Sequence, residues 1–192
     1  LWRPPTRPLG LRPGAEGLYA LRDGQGEYHL IGGMVATLIA RQAETGGAFE
    51  AAVLTGSVGT GLLLHRHGAT DAALYVLVGR LEQQMDGQAH LLTAGDHALV
   101  PAGTAQGLRR QNWRMRLPGW SIGTGLAGGY PALGAPFSRP VQPELEIPQA
   151  RLDAAAATDT EFPGLLPAVA PVLVTVAGLP AATRPYVPQD GG

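Results

Sequence analysis

The sequence predicts an all-β domain, built as a sandwich or jelly roll, and three observations carry that expectation. Gly occurs 28 times and Pro 17 times, and both punctuate short apolar runs along the whole chain. Those runs have the length and even spacing of strands bounded by turns. One segment alone, about Gln149–Thr158, is Ala-rich after Pro148 and reads as a helix.

The elements follow in order. Residues 1–17 open with LWRPPTRPLGLRPG and are expected to form an arm with little regular structure. Strands are expected at Tyr28–Ile31, Met34–Gln42, Phe49–Thr55, Gly61–His67, Ala73–Val78, Leu81–Met85, Gln88–Leu92, His97–Val100 and Trp113–Ile122. Asp86-Gly87 sits between two of them and is a two-residue hairpin signal, since both positions of that turn favour φ > 0. Gly95-Asp96 marks another turn. Pro118 cannot donate to a ladder and marks an edge or bulge. Residues 123–148 are Gly- and Pro-rich and read as loop or short turns. Val169–Val176 reads as one added strand, broken by Pro171. The ending RPYVPQDGG echoes the early GLYALRDGQGEYHL, which is either the start of a second domain or chance. The expected division is an arm at 1–17, a β domain at 18–148, and a helix with an irregular extension at 149–192, the last a candidate linker toward a second domain.

Composition narrows the function. The chain has 192 residues, enough for one buried core. Net charge is −1, which gives no electrostatic case for nucleic acid. All 14 basic residues are Arg. Arg109, Arg110, Arg114 and Arg116 cluster, as a phosphate site or, the favoured reading, as the solvated face of one strand. The absence of Cys excludes disulfides, thiolate metal sites and Cys nucleophiles. No apolar run nears the ~18 residues of a membrane span, so no membrane partner is expected and a cytoplasmic location is the default.

The chemistry concentrates between Leu62 and Asn112. An apolar run delivers His65 and His67, two residues apart. In a strand, residues i and i+2 share a face, so both imidazoles can aim at one point. That is half of a metal site. The alternative is a pair of hydrogen-bonded histidines in a pocket without metal.

These motifs resemble the cupin family. Its first motif is His-x-His, then a Glu, then six residues and a Gly; here His65, His67 and Gly79 stand in place, and Ala72 occupies the Glu position. Its second motif is Gly, five residues, Pro-x-Gly, two residues and His; here Gly95, Pro101 and Gly103 fit, and Gln106 occupies the His position. Within cupins the layout is most similar to quercetin 2,3-dioxygenases, which share an N-terminal arm, a Tyr/Gly-rich first strand as in Tyr28–Gly33, and a Gly-rich segment after the last barrel strand. The resemblance implies a cupin jelly roll with an N-terminal arm and an irregular C-terminal extension. It implies a divalent transition metal (Fe, Mn, Ni, Co or Cu) held by three His and one Glu, with the Glu also the base on a flavonol hydroxyl.

This chain departs from that set. Ala72 has no donor atom. Asp71 is next to it, and a one-residue bulge would turn its carboxylate inward as third ligand and base. Without the bulge it caps a turn at the surface. Gln106 offers a carbonyl oxygen, either as a weak ligand or as a hydrogen-bond partner in the pocket. Two His alone bind a divalent ion weakly, so the expected cofactor is one such metal or none. Glu50, on the strand before the His-x-His, either points inward or lies at the surface, with surface favoured, and His29, His90 and His97 read as surface or strand-edge residues. Gly123–Gly128 matches a dinucleotide-loop pattern but is rejected, since Gly129-Tyr130-Pro131 does not read as the helix of a βαβ unit. Tyr75, Leu77, Trp113, Met115 and Trp120 either line a pocket for a planar aromatic molecule or pack the core, with core favoured. Two functions follow: a quercetinase-like dioxygenase with an altered site, or a non-catalytic cupin that binds a ligand or pairs with a second cupin, as a homodimer or within one chain. A sugar-modifying isomerase also remains open on this fold.

Overall fold

The computed structural model describes residues 14–31, 33–56, 61–111, 114–123, 125–136 and 147–164. The arm before residue 14, Trp113 and the strand expected at Val169–Val176 lie outside the described residues.

Among the described residues, twelve strands and three helices occur in this order: β1 (Glu27–Ile31), β2 (Met34–Ala40), α1 (Gln42–Thr45), β3 (Glu50–Gly56), β4 (Gly61–His67), β5 (Asp71–Tyr75), β6 (Arg80–Met85), β7 (Gln88–Thr93), β8 (His97–Val100), β9 (Gln106–Arg110), β10 (Met115–Ile122), α2 (Gly125–Leu133), β11 (Ala135–Pro136), α3 (Gln149–Ala156) and β12 (Thr160–Gly164). They form two antiparallel sheets. One runs β11-β1-β2-β3-β10-β5-β8, and the other β12-β4-β9-β6-β7. The core lies between them. Met34, Leu38, Leu81 and Leu117 are at most 1 % exposed and tie both sheets into one apolar cluster. This is the jelly-roll sandwich that the spacing of turns predicted.

The Asp86-Gly87 hairpin forms as expected. Asp86 has φ 45° and Gly87 φ 79°, which suits the right-handed twist of β6 and β7. The expected helix after Pro148 is α3. Several boundaries differ. The strand from Met34 stops at Ala40, and α1 takes Gln42 instead. The strand expected at Ala73–Val78 runs Asp71–Tyr75, and the one expected from Trp113 starts at Met115.

The larger correction is α2, placed where loop was expected. Gly and Pro give this segment poor helix propensity, and Pro131 sits inside it. Burial of Tyr130 and Leu133 against the core outweighs that local preference. The rejected dinucleotide pattern therefore does run into a helix. It still lacks a βαβ unit, since β10 before it is antiparallel to both its neighbours. Strand β9 joins β4 to β6 and was not expected as a separate strand.

Candidate functional site

Strand β4 places both histidines as the spacing required. Their rings lie edge to face, with centroids 5.0 Å apart and planes at 76°. His65 Nδ1 is 2.8 Å from the Leu63 carbonyl oxygen, and His67 Nδ1 is 3.2 Å from that of Asp159. A carbonyl can only accept, so each Nδ1 carries the proton and each Nε2 keeps its lone pair. Burial favours the neutral rings. Desolvation, helped by the neighbouring His67, lowers the His65 pKa to about 4. Desolvation lowers His67 as well, against the opposing pull of the Asp159 carbonyl bond and carboxylate.

Two adjoining hollows, both partly open to solvent, meet at this pair. Their walls are mostly apolar and include Leu62, Leu74, Leu117 and Tyr130. Gln106 faces His65 across the β4–β9 ladder. Its Oε1 accepts from Gln83 Nε2 at 3.3 Å, while Gln83 Oε1 is buried with no hydrogen-bond partner among the described residues. Gln83 and Tyr130 were not singled out in the sequence. Gln83 is a polar residue in a core-facing row of β6, and Tyr130 depends on the unexpected α2.

Asp159 is the other addition. Its carboxylate accepts from the Ala69 N–H at 3.0 Å and from Thr70 Oγ1 at 2.6 Å. Those bonds hold its pKa below the usual carboxylate value, against a raising effect of burial. Thr160 Oγ1 lies 3.3 Å from His67 Nδ1. The turn from α3 into β12 thus fixes the loop after His67 and the tautomer of His67 itself.

The remaining expectations divide. Ala72 lines the larger hollow, as its motif position required. Asp71 does not turn inward. Strand β5 pairs in regular register with β10 and β8, without a bulge, so Asp71 faces out. It is exposed, and its Oδ1 accepts from the Ala102 N–H at 2.8 Å. It is neither ligand nor base in this geometry. Glu50 is not at the surface; it is 2 % exposed and opposite Ser121 in the β3–β10 ladder, on the inward row of Ala52 and Leu54. His29 is also buried, with Nε2 2.8 Å from Glu27 Oε1. His97 is exposed and His90 half-buried. Met115 packs in the core, whereas Tyr75, Leu77 and Trp120 are exposed. Arg110 is not on a solvated face; it is 2 % exposed.

The sequence profile of the Cupin domain matches residues 53–111, which hold both histidines and Gln106. Quercetin 2,3-dioxygenase of Bacillus subtilis (strain 168) is 36 % identical over 178 residues, 90 % of this chain. The chain is a cupin. It spans about half of that relative, 53 % of its length. A protein described as a predicted oxalate decarboxylase from Thermotoga maritima superposes with a TM-score of 0.51 at 15 % identity, over 54 % of this chain and 98 % of its own. That likeness concerns the fold alone. KdgF from Halomonas sp. gives 0.49 at 18 % identity, over 56 % of this chain and 94 % of its own.

The donor set of this cupin does not fit the metal that its family implies. Two imidazole Nε2 atoms are available, Ala72 supplies nothing, and Asp71 points away. Gln106 Oε1 is engaged by Gln83. Among the described residues no three His, Asp or Glu side chains converge on one point. No helix among the described residues is long and apolar enough to cross a membrane.

Proposed function

We propose that this chain is a quercetinase-related cupin domain whose barrel binds a small hydroxylated aromatic molecule and does not carry out metal-dependent dioxygenation. The observation behind this reading is the pair of changes at the motif's donor positions, with Ala72 inside the hollow and Asp71 outside it. Two neutral imidazole nitrogens and the free Gln83 oxygen form a set of hydrogen-bond acceptors inside an apolar wall. Such a set suits hydroxyl donors on a flat apolar body. A proton acceptor in the position of the family's Glu is missing, which argues against the family's chemistry.

The second reading is a dioxygenase with an altered site. It is favoured by the 36 % identity to a quercetin 2,3-dioxygenase along 90 % of the chain. One measurement separates the two. Protein produced with iron, manganese, nickel, cobalt and copper available is analysed for bound metal, beside His65→Ala. The binding reading expects far less than one metal per chain and no change on substitution. Near-stoichiometric metal that disappears with His65→Ala would establish a further ligand and overturn it.

Pairing with a second cupin unit belongs to the same proposal. Tyr75, Leu99, Trp120 and Ile122 are exposed on the outer face of β5, β8 and β10. A patch of this kind fits a partner surface. Sedimentation of the chain alone tests for a homodimer.

A further inference from the structure

Arg110 ends β9 on the same side of the strand as Leu108 and Gln106, the side that faces the core. Leu81, directly across on β6, is fully buried. The side chain therefore enters the space between the two sheets. It spans that space to β3 on the opposite sheet. A Cβ added at Gly56 would lie 2.6 Å from both terminal guanidinium nitrogens, so the fork lies directly against the strand and a side chain there would push it aside. Arg110 is 2 % exposed, and among the described residues none of its three side-chain nitrogens has a hydrogen-bond partner.

A guanidinium removed from water needs an anion. The described acids nearby do not serve. Asp23 pairs with Arg116. Glu82 is on the other face of β6, opposite Arg109, and its carboxylate accepts from Gln84 and Gln111. Desolvation lowers the pKa of Arg110 to about 10, with no carboxylate pulling the other way, which still leaves it cationic at neutral pH. Arg109, on the other face of β9 opposite Glu82, does not share this space.

We propose that Arg110 is the centre of a binding site for a small oxyanion, with inorganic phosphate its simplest representative, at the end of the barrel away from the histidine pair. The planar fork suits two oxygens of one anion. Gln106 and Arg110 are four residues apart on one strand, about 13 Å, so this site is separate from the hollow at His65 and His67. It holds whether or not that hollow binds an aromatic molecule.

The test is urea unfolding of the full chain in rising phosphate, with ionic strength held constant by sodium chloride, on wild type, Arg110→Met and Arg109→Met. Wild type should gain stability along a saturating curve, its folding constant rising about elevenfold at phosphate ten times the dissociation constant. Arg109→Met should follow wild type, and Arg110→Met should not respond. A second readout needs no variant: in nitrogen-15-labelled wild type, one Arg Nε–H resonance should shift saturably with phosphate. Gly56→Ala, which crowds the fork, should weaken phosphate at least tenfold. A wild type with no saturable response, or an Arg110→Met protein that responds like wild type, overturns the site. So does a phosphate-free dimer that Arg110→Met dissolves, since a carboxylate of a second copy would then be the counter-ion.

Discussion

Acid should destabilise this cupin through its histidine pair, beginning above the pH at which carboxylates titrate. The folded His65 ring has its pKa lowered from 6.5 to about 4. Between those two values the unfolded chain binds a proton that the folded chain refuses. Stability therefore rises with pH across that window and falls as the solution is acidified through it. A shift of this size corresponds to about 3 kcal/mol at the limit. His65 is only half-buried, which reduces the expected loss between about pH 7.5 and about pH 4.5 to about 2 kcal/mol. His67 shifts in the same direction and adds to the loss. Asp159, held below the usual carboxylate range, contributes only at lower pH and does not blur the window. The assay is urea unfolding of chelator-treated protein at both pH values, followed by tryptophan fluorescence. His65→Leu should lose most of the dependence with an unchanged denaturant slope. Equal stability of wild type at the two pH values would refute the reasoning. So would a His65→Leu protein that keeps the full dependence, because the protons would then bind elsewhere.

Two further outcomes can be stated. Rebuilding the family's donors with Ala72→Glu and Gln106→His should strengthen nickel or cobalt binding at least ~10³-fold, taking about 3 kcal/mol per added ligand and subtracting the cost of burying a carboxylate; calorimetric titration that finds no gain would show the motif alignment to be wrong. Asp159→Ala, which removes the carboxylate from the Ala69 N–H and Thr70 Oγ1, should cost about 1–2 kcal/mol of stability by urea unfolding; a neutral effect would mean that water replaces it freely.

Turn residues and strand-length apolar runs made the sandwich legible in the sequence, because the period of two and the Asp86-Gly87 turn act within a few residues. The direction of His65 and His67 was legible for the same reason. The rest depended on distant parts of the chain. Helix α2 has no local signal and exists because Tyr130 and Leu133 find the core. Asp71 was ambiguous because its facing depends on an unbroken register with two other strands, and Glu50 and His29 were misplaced because neither polarity nor spacing reveals which face a sheet buries. Arg110 looked like part of a charged surface run, and its neighbour Arg109 does face the other way. No pattern within the two cupin motifs points to Asp159, 92 residues from the histidine it orients.

That last contact separates what the motifs carry from what sets their properties. Residues 53–111 contain the His-x-His pair, yet the group that fixes the His67 tautomer comes from the turn at Asp159 and Thr160. Grafting a different C-terminal extension onto this barrel would change the basicity and aim of His67 with every motif residue intact. Two cupins with identical motifs can thus differ in ligand strength, and the extension is the place to look for the difference.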